Sequence, residues 1–138
     1  MVKANRKEIY RIMDANLNRF KEGLRVCEDV CRFVLDERSA TRQLKDMRHR
    51  TKEVVASLGY KKLVEARDIR RDVGKGSNAH ELTRGNVGDI FFANASRMKE
   101  SIRVLEEFSK LLDKKTAGEL KNIRYQFYAL EKRIAGKL

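Results

Sequence analysis

The stretch ANLNRFKEGLRVCE at residues 15–28 returns without a gap as ANASRMKESIRVLE at residues 93–106, and this repetition decides the fold. The shared letters include an asparagine, two arginines and two glutamates, so the match is more than an amphipathic pattern. A second pair of segments also corresponds, LKDMR at 44–48 and LKNIR at 120–124. The repetition predicts a duplicated helical hairpin, and therefore an all-α domain that resembles a four-helix bundle.

Polar residues at the ends of the apolar runs predict where the first helices begin and end. Asn5, with Glu8 three residues later, forms a capping-box pattern that starts a helix reaching to about residue 37. Ser39 is expected to cap a second helix. Gly59 is expected to end that helix, because glycine adopts the left-handed conformation at little cost.

Two more helices are predicted in the second half of the chain. The third is expected from about Asp89 to Lys114, and Thr116 with Glu119 forms a second capping-box pattern that opens the fourth. The absence of proline agrees with uninterrupted helices. Within one domain of residues 1–138 we therefore expect repeat one at about 5–58, a glycine-rich connector at about 59–88 that begins with a short helical piece at 60–66, and repeat two at about 89–136.

The chain is strongly basic, with 32 lysines and arginines against 20 aspartates and glutamates, and a formal net charge of +12. This excess favours a polyanionic partner such as nucleic acid, a nucleotide or a phosphorylated metabolite. Interleaved acids and bases are also typical of a thermostable surface, so part of the charge needs no partner. The sequence contains no run of 18 apolar residues and no signal-peptide pattern, so we expect no membrane span and a cytoplasmic location.

Neither the cysteines nor the histidines form a pattern typical of a catalytic or metal site. Cys27 and Cys31 are one helical turn apart and face inward, so we interpret them as buried free thiols rather than as metal ligands or a disulfide. His49 and His80 are isolated, and the sequence leaves open whether either takes part in chemistry.

Two asparagines and two arginines occupy matching positions in the repeats. On a helical wheel Asn16 falls within the apolar stripe, and Asn94 repeats its position. A core-facing amide must be hydrogen-bonded, so this pair either fixes the register of the helices or contacts a ligand. Arg19 and Arg97 flank the same stripe, where two guanidinium groups can converge on phosphate oxygens.

These arginines belong to a ladder of acids and bases spaced three residues apart. Arg25 and Arg103 point away from the apolar stripe, and for them a solvated ion pair is the simpler interpretation. The acids of the ladder are Glu22 and Glu28 in repeat one, and Glu100 and Glu106 in repeat two.

The connector segment RDIRRDVGKGS at residues 67–77 combines residue types that often occur in nucleotide-binding sites. Its aspartates can ligate Mg²⁺, its arginines and lysine can contact phosphate, and its glycines expose backbone N–H groups. The spacing matches neither a Walker A loop nor a dinucleotide fingerprint. A polar surface loop with ordinary turn glycines is therefore an alternative interpretation.

The string DANLNR at 14–19, with EGLRV at 22–26, RD at 67–68, DVG at 72–74 and RVLEE at 103–107, resembles the small monofunctional hydroxymethylpyrimidine-phosphate kinases of bacterial thiamine synthesis. Members of that family occur alone or fused to thiamine-phosphate synthase. The resemblance implies phosphoryl transfer from ATP to 4-amino-5-hydroxymethyl-2-methylpyrimidine phosphate, which gives the diphosphate. It also implies little activity on the unphosphorylated alcohol.

Roles for individual residues follow from the chemistry of that reaction. The acceptor is already an anionic phosphate oxygen, so charge neutralisation and in-line positioning matter more than a general base. We therefore predict catalytic phosphate contacts from Arg19, Arg97 and Arg67, and Mg²⁺ held by Asp68 and Asp72. Asn16 and Asn94 are expected to bind the pyrimidine, and Glu22 and Glu100 to bind substrate, to orient the arginines or to join the metal shell. Binding of ATP is expected from Gly74, Lys75, Gly76 and Arg84.

Two other functions stay open at this point. A basic helical module could bind nucleic acid through outward-facing cations, although the sparse aromatic residues and interleaved acids argue against it. A non-catalytic helical partner would not need the glycine-rich connector. We further expect a functional association with thiamine-phosphate synthase and one active site, while self-association is left open.

Overall fold

A computed structural model describes residues 1–77 and 81–138, where all regular secondary structure is helical. The elements are α1 (Arg6–Asp29), which continues into a π-helical segment (Val30–Val34), α2 (Arg38–Leu58), α3 (Tyr60–Ala66), α4 (Val87–Ser109) and α5 (Lys114–Ala135). The predicted all-α, bundle-like fold is confirmed. Within the described residues, no helix combines the length and the apolar composition that spanning a bilayer requires.

The predicted start of the first helix is confirmed. The Asn5 side chain accepts a hydrogen bond from the Glu8 amide at 2.9 Å, and the Glu8 carboxylate accepts one from the Asn5 amide at 2.8 Å. The end of this helix differs from the prediction. Regular α-helix stops at Asp29, and the chain continues as the π-helical segment to Val34.

The predicted cap of the second helix is wrong. Asp36 adopts a φ of 50°, in the left-handed region, and α2 begins soon afterwards at Arg38. Glu37 occupies the capping position without a capping hydrogen bond from its side chain, so Ser39 lies inside the first turn. The predicted end is confirmed, because Gly59 follows the last helical residue with a φ of 93°.

The predicted start of the last long helix is also wrong, because another side chain makes the capping bonds. Asp113 caps α5 by accepting hydrogen bonds from the Thr116 amide at 3.2 Å and the Thr116 hydroxyl at 2.7 Å. Thr116 is therefore a donor to the cap rather than the cap itself. Asn86 caps α4 by accepting a hydrogen bond from the Asp89 amide at 2.9 Å, so this helix begins earlier than predicted. It also ends earlier, at Ser109.

The bundle is organised around α1 and α4, the two helices that carry the repeated sequence. Helix α2 packs against α1 and α5 packs against α4, which gives the two predicted hairpins, and α2 also contacts α5. Helices α1 and α4 approach closely at Gly23, where a Cβ atom would lie 2.9 Å from the carbonyl oxygen of Asn94. The largest fully buried side chains of the core include Phe20, Phe91 and Phe127.

A buried ion pair holds each hairpin together at matching positions. Arg48 on α2 donates to both carboxylate oxygens of Glu28 on α1, at 3.1 and 3.3 Å. Arg124 on α5 donates to both oxygens of Glu106 on α4, at 2.7 and 3.1 Å. Glu28 is fully buried and Glu106 is 4% exposed. These two ladder acids therefore belong to the interior, whereas the side chain of Arg103 is 54% exposed.

The two cysteines are buried free thiols, as predicted. The Sγ atom of Cys27 lies 3.7 Å from the carbonyl oxygen of Phe91, to which it donates. Burial raises the pKa of Cys27 far above its usual value and raises the pKa of Cys31 to about 11, so both thiols stay protonated at neutral pH. In residues 1–77 and 81–138, no three His, Cys, Asp or Glu side chains gather into a group that could hold a metal ion.

Candidate functional site

Two adjoining clefts lie along α1, and both are lined by Asn16 and Arg19. The first, called the α1–α3 cleft, lies between α1 and the connector residues that follow α3, and has a volume of about 490 Å³. It is lined by Glu8, Arg11, Ile12, Asp14, Ala15, Asn16, Asn18, Arg19, Arg67, Asp68, Ile69 and Asp72. The α1–α4 cleft has a volume of about 720 Å³ and is lined by Asn16, Arg19, Glu81, Arg84, Ala93, Ser96, Arg97, Glu100, Ser101 and Val104. Most of the site residues predicted from the sequence therefore lie in one continuous region.

Asn16 has the hydrogen-bond partners that a buried amide needs. It is 4% exposed, and its Nδ2 atom donates to the Ile12 carbonyl at 2.9 Å. Its Oδ1 atom accepts from the Nη1 atom of Arg19 at 3.3 Å, which holds that guanidinium where the clefts meet. Asn94 makes the equivalent bond to the Ile90 carbonyl at 2.9 Å, but it lines neither cleft. Each asparagine thus makes the same hydrogen bond within its own helix, and Asn16 in α1 also lines the clefts.

Arg67 is held at the α1–α3 cleft by an acid that reasoning from the sequence missed. Its Nε and Nη2 atoms donate to the two carboxylate oxygens of Asp14, at 2.7 and 2.8 Å. The hydrogen bonds to Asp14 raise the pKa of Arg67, so the guanidinium is charged throughout the physiological range. One signal was available in the sequence. Asp14 follows Met13 on the buried face of α1, whereas the matching position in repeat two is Phe92.

Two connector carboxylates line the same cleft and are the candidates for holding Mg²⁺. One oxygen of Asp68 accepts from the Arg71 amide at 3.2 Å, and one oxygen of Asp72 accepts from the Gly74 amide at 2.9 Å. The second oxygen of each carboxylate has no hydrogen-bond partner within the described residues. Mg²⁺ commonly takes one or two protein carboxylates and completes its shell with water and substrate phosphates. The two aspartates fit a site of that kind.

The α1–α4 cleft carries more arginine than glutamate. Arg19 reaches it from α1, Arg97 and Glu100 from α4, and Arg84 and Glu81 from the connector. Arg97 is exposed and forms no ion pair within the part of the chain that the structure describes. The Nη1 atom of Arg84 donates to two carbonyl groups of its own turn, at 3.3 and 2.7 Å. The excess of cations suits a small anionic ligand.

The predicted site residues that line neither cleft are Glu22, Asn94, Gly74, Lys75 and Gly76. The three connector residues are exposed, and the Gly74 amide already donates to Asp72. Their roles in binding ATP or the pyrimidine stay predictions. His49 is exposed on α2 and lines neither cleft, and His80 lies outside the described residues.

A family model described as the ThiD2 family matches residues 11–133. The chain belongs to this family. Every residue that lines the two clefts, except Glu8, lies inside the matched span. The site is therefore built almost entirely from the portion of the ThiD2 chain that the family model covers.

The ThiD2 chain is also similar to longer proteins named thiamine-phosphate synthase. It is 40% identical to the one from Synechocystis sp., over 99% of this chain and 39% of the relative. It is 37% identical to the one from Rhodopirellula baltica, over 99% and 38%, and 41% identical to one from Synechococcus sp., over 97% and 37%. The chain thus spans less than half the length of these relatives. No solved structure matches it significantly.

The comparisons confirm one part of the resemblance inferred from the sequence, namely that the family is related to thiamine biosynthesis. The names of the relatives describe a synthase and do not name a kinase. A kinase activity for the ThiD2 chain therefore has to be argued from the chemistry of its clefts.

Proposed function

We propose that the chain is a kinase that transfers the γ-phosphoryl group of ATP to 4-amino-5-hydroxymethyl-2-methylpyrimidine phosphate, giving the diphosphate and ADP in thiamine biosynthesis. The observation that carries this proposal is the position of Arg19, which lines both clefts. The α1–α3 cleft adds Arg11 and Arg67, and the α1–α4 cleft adds Arg84 and Arg97. Two phosphorylated ligands bound side by side would therefore share one guanidinium between them.

The proposed reaction depends on charge neutralisation more than on proton removal. An oxygen of the acceptor phosphate attacks the γ-phosphorus of ATP, and the bond from that phosphorus to the oxygen shared with the β-phosphate breaks. Guanidinium groups stabilise the charge on the transferred group and on the ADP that leaves. Because the attacking oxygen is already anionic, the step needs no general base.

The remaining predicted residues have roles that agree with their positions. Asn16 lies between the clefts, and Glu100 in the α1–α4 cleft offers a carboxylate that can accept hydrogen bonds from the amino group of the pyrimidine. Asp68 and Asp72 would hold Mg²⁺, which supplies further charge neutralisation at the phosphates when it is bound.

We also propose that the product is used by thiamine-phosphate synthase. The relatives carry sequence similar to this chain within longer proteins of that name. Co-purification of the two proteins from the source cells would support a physical association. Efficient synthesis of thiamine phosphate by freely diffusing enzymes, without such association, would reduce the link to a shared metabolite.

The test of the kinase is a coupled assay of ADP release with ATP and Mg²⁺, which compares the pyrimidine phosphate with its unphosphorylated alcohol. We expect turnover of the phosphate and little turnover of the alcohol, because the alcohol lacks the anionic group that the arginines bind. Turnover of neither compound by a folded sample would refute the proposal.

The alternative of a nucleic-acid module is weakened where outward-facing cations are paired with acids, as Arg103 and Lys110 are. Arg103 contacts Glu106 and Glu107 at 3.2 and 3.1 Å, and Lys110 contacts Glu107 at 2.8 Å. Cations that are neutralised in this way are less available to phosphates of a nucleic acid. Absence of turnover combined with RNA or DNA binding that falls steeply with salt would favour this alternative.

A further inference from the structure

We propose that the α1–α3 cleft is the subsite for the polyphosphate of MgATP, and that Asp14 is a positioning residue that holds Arg67 for the nucleotide phosphates. The acceptor phosphate is then assigned to the α1–α4 cleft. This inference rests on the proposed kinase function and deepens it, because it states which cleft takes which substrate.

The contact between Asp14 and Arg67 prepares a phosphate donor. The carboxylate of Asp14 is 8% exposed and occupies the Nε and Nη2 atoms of Arg67 in a two-point contact, which fixes the plane of the guanidinium. The Nη1 atom has no hydrogen-bond partner within the described residues. Because the side chain of Arg67 is 42% exposed and lines the cleft, this group is available to a bound anion.

The charges of the two clefts favour different ligands. The α1–α3 cleft is lined by four carboxylates, those of Glu8, Asp14, Asp68 and Asp72, against the three arginines Arg11, Arg19 and Arg67. A bare phosphate monoester would meet this excess of carboxylates, whereas a nucleotide polyphosphate brings Mg²⁺, which would neutralise part of the negative charge of both the carboxylates and the phosphates. In the α1–α4 cleft, the three arginines outnumber the two glutamates, so an anion can bind there without a metal ion.

The second repeat cannot build an equivalent subsite. The position that matches Asp14 is Phe92, which offers no acceptor to orient an arginine. The segment that supplies Arg67, Asp68 and Asp72 occurs only between the repeats. The duplicated scaffold is therefore expected to bind one nucleotide per chain.

The first experiment measures nucleotide binding without turnover, by calorimetric titration with the magnesium complex of a non-hydrolysable ATP analogue. Wild-type protein should bind one nucleotide per chain. Asp14→Asn keeps the shape of the side chain at position 14 but removes its charge. We expect this variant to bind the nucleotide about tenfold more weakly, which is the effect expected when a hydrogen bond to a charged group is impaired. In the ADP-release assay, the KM for ATP should rise by a similar factor while the KM for the pyrimidine phosphate changes less than about twofold.

Glu28→Gln is the matched control, because it removes the charge from an equally two-pronged buried contact whose residues line neither cleft. We expect it to lower thermal stability and to leave nucleotide binding unchanged. A general loss of rigidity would instead weaken binding in both variants, and that result would overturn the positioning role of Asp14.

A double-mutant cycle separates action through Arg67 from any other role of Asp14. Arg67→Gln should weaken nucleotide binding by itself, and adding Asp14→Asn should weaken it no further. Additive losses would overturn the positioning role. If Asp14→Asn does not fold, Arg67→Gln still tests the subsite. The side chain of Arg67 lies largely outside the core, so this substitution should leave the fold intact.

The outcomes distinguish this inference from the function on which it rests. If wild-type protein is active but Asp14→Asn and Arg67→Gln raise the KM for the pyrimidine phosphate instead of ATP, the assignment of the clefts is wrong and the kinase stands. Two nucleotides per chain would overturn the single subsite. If wild-type protein neither binds the nucleotide nor turns over, the kinase proposal fails as well.

Discussion

The two repeats share the contacts that hold a hairpin together and differ in the contacts that face a ligand. Glu28–Arg48 and Glu106–Arg124 are the same ion pair at matching positions, both buried. Only repeat one has an acid, Asp14, at the position that orients a connector arginine. The comparison teaches that duplication supplied the scaffold, while the site was built on the differences between the copies.

The ends of the two central helices differ in a similar way. Helix α1 ends in a π-helical segment and a left-handed Asp36, whereas α4 ends in a simple turn that leads to the Asp113 cap. The core positions of Cys27 and Cys31 are taken by Leu105 and Ser109 in repeat two. The hydroxyl of Ser109 is buried without a hydrogen-bond partner in the described residues. The interior of the second hairpin therefore contains a buried polar atom without a hydrogen bond at the position that Cys31 fills in the first hairpin.

The largest expected effect is on stability and tests the equivalence of the repeats. Glu28→Ala and Glu106→Ala each remove a buried carboxylate and leave a partly buried arginine without its partner, and each should cost about 3 kcal/mol of unfolding free energy. Urea unfolding monitored by circular dichroism would measure both. A loss in one variant and none in the other would show that the hairpins are not energetically equivalent.

The next largest effect is catalytic and sharpens the difference between the repeats. Arg19→Ala removes a group shared by both clefts, so we expect kcat/KM to fall about 100-fold, the size seen when one charge-stabilising donor is lost. Arg97→Ala affects one cleft and should cost about tenfold. Steady-state kinetics on both variants would test this order, and equal losses would contradict the shared role of Arg19.

A smaller effect is expected where the central helices touch. In Gly23→Ala the new Cβ would meet the Asn94 carbonyl oxygen at 2.9 Å, so the helices must move apart at a cost of about 2 kcal/mol. At the matching position, Ser101→Ala loses only hydroxyl bonds to carbonyls of its own helix and should cost less than about 1 kcal/mol. Thermal unfolding with matched wild-type controls would show whether the contact is as asymmetric as the structure indicates.

The smallest effect concerns the thiols, which repeat two lacks. Cysteine in an unfolded chain ionises near pH 8.5, whereas the folded pKa of Cys31 is about 11. Between these values the unfolded state loses a proton that the folded state keeps, so Cys31 should lower the unfolding free energy by about 1 kcal/mol as the pH rises from about 8 to 9.5, and Cys27, whose pKa is raised further, should contribute a similar fall. Unfolding midpoints across this range would measure the slope. Cys31→Ser, which copies repeat two, should reduce that slope, and an unchanged slope would assign it to other groups.

Local patterns in the sequence were sufficient for the presence and order of the helices and for the duplication, but not for every helix end. The capping box at Asn5 and the glycine end at Gly59 were predicted because both depend on neighbours within a few residues. The failure at Thr116 is also local, since Asp113 competes for the same amides and its carboxylate accepts more bonds than a hydroxyl. Such competition between nearby caps is difficult to decide from residue types alone.

The candidate site was only partly predictable. The core-facing Asn16 and the flanking Arg19 followed from helical periodicity, and the structure gives both a place in the clefts. The same reasoning gave Asn94 an equal role, which its position outside both linings does not support. Periodicity assigns a residue to a face of a helix, but it does not say whether another helix or a cleft covers that face.

The sequence by itself determined an all-α chain with two related hairpins, because helical spacing, caps and internal repetition are properties of short segments. The tertiary structure alone decided that Arg67 meets Asp14, a residue 53 positions earlier in the chain. That contact exists because α3 packs against α1 and brings the connector to the buried carboxylate of Asp14 in the first half of α1. The pairing of distant charges depends on such packing, and no local pattern records it.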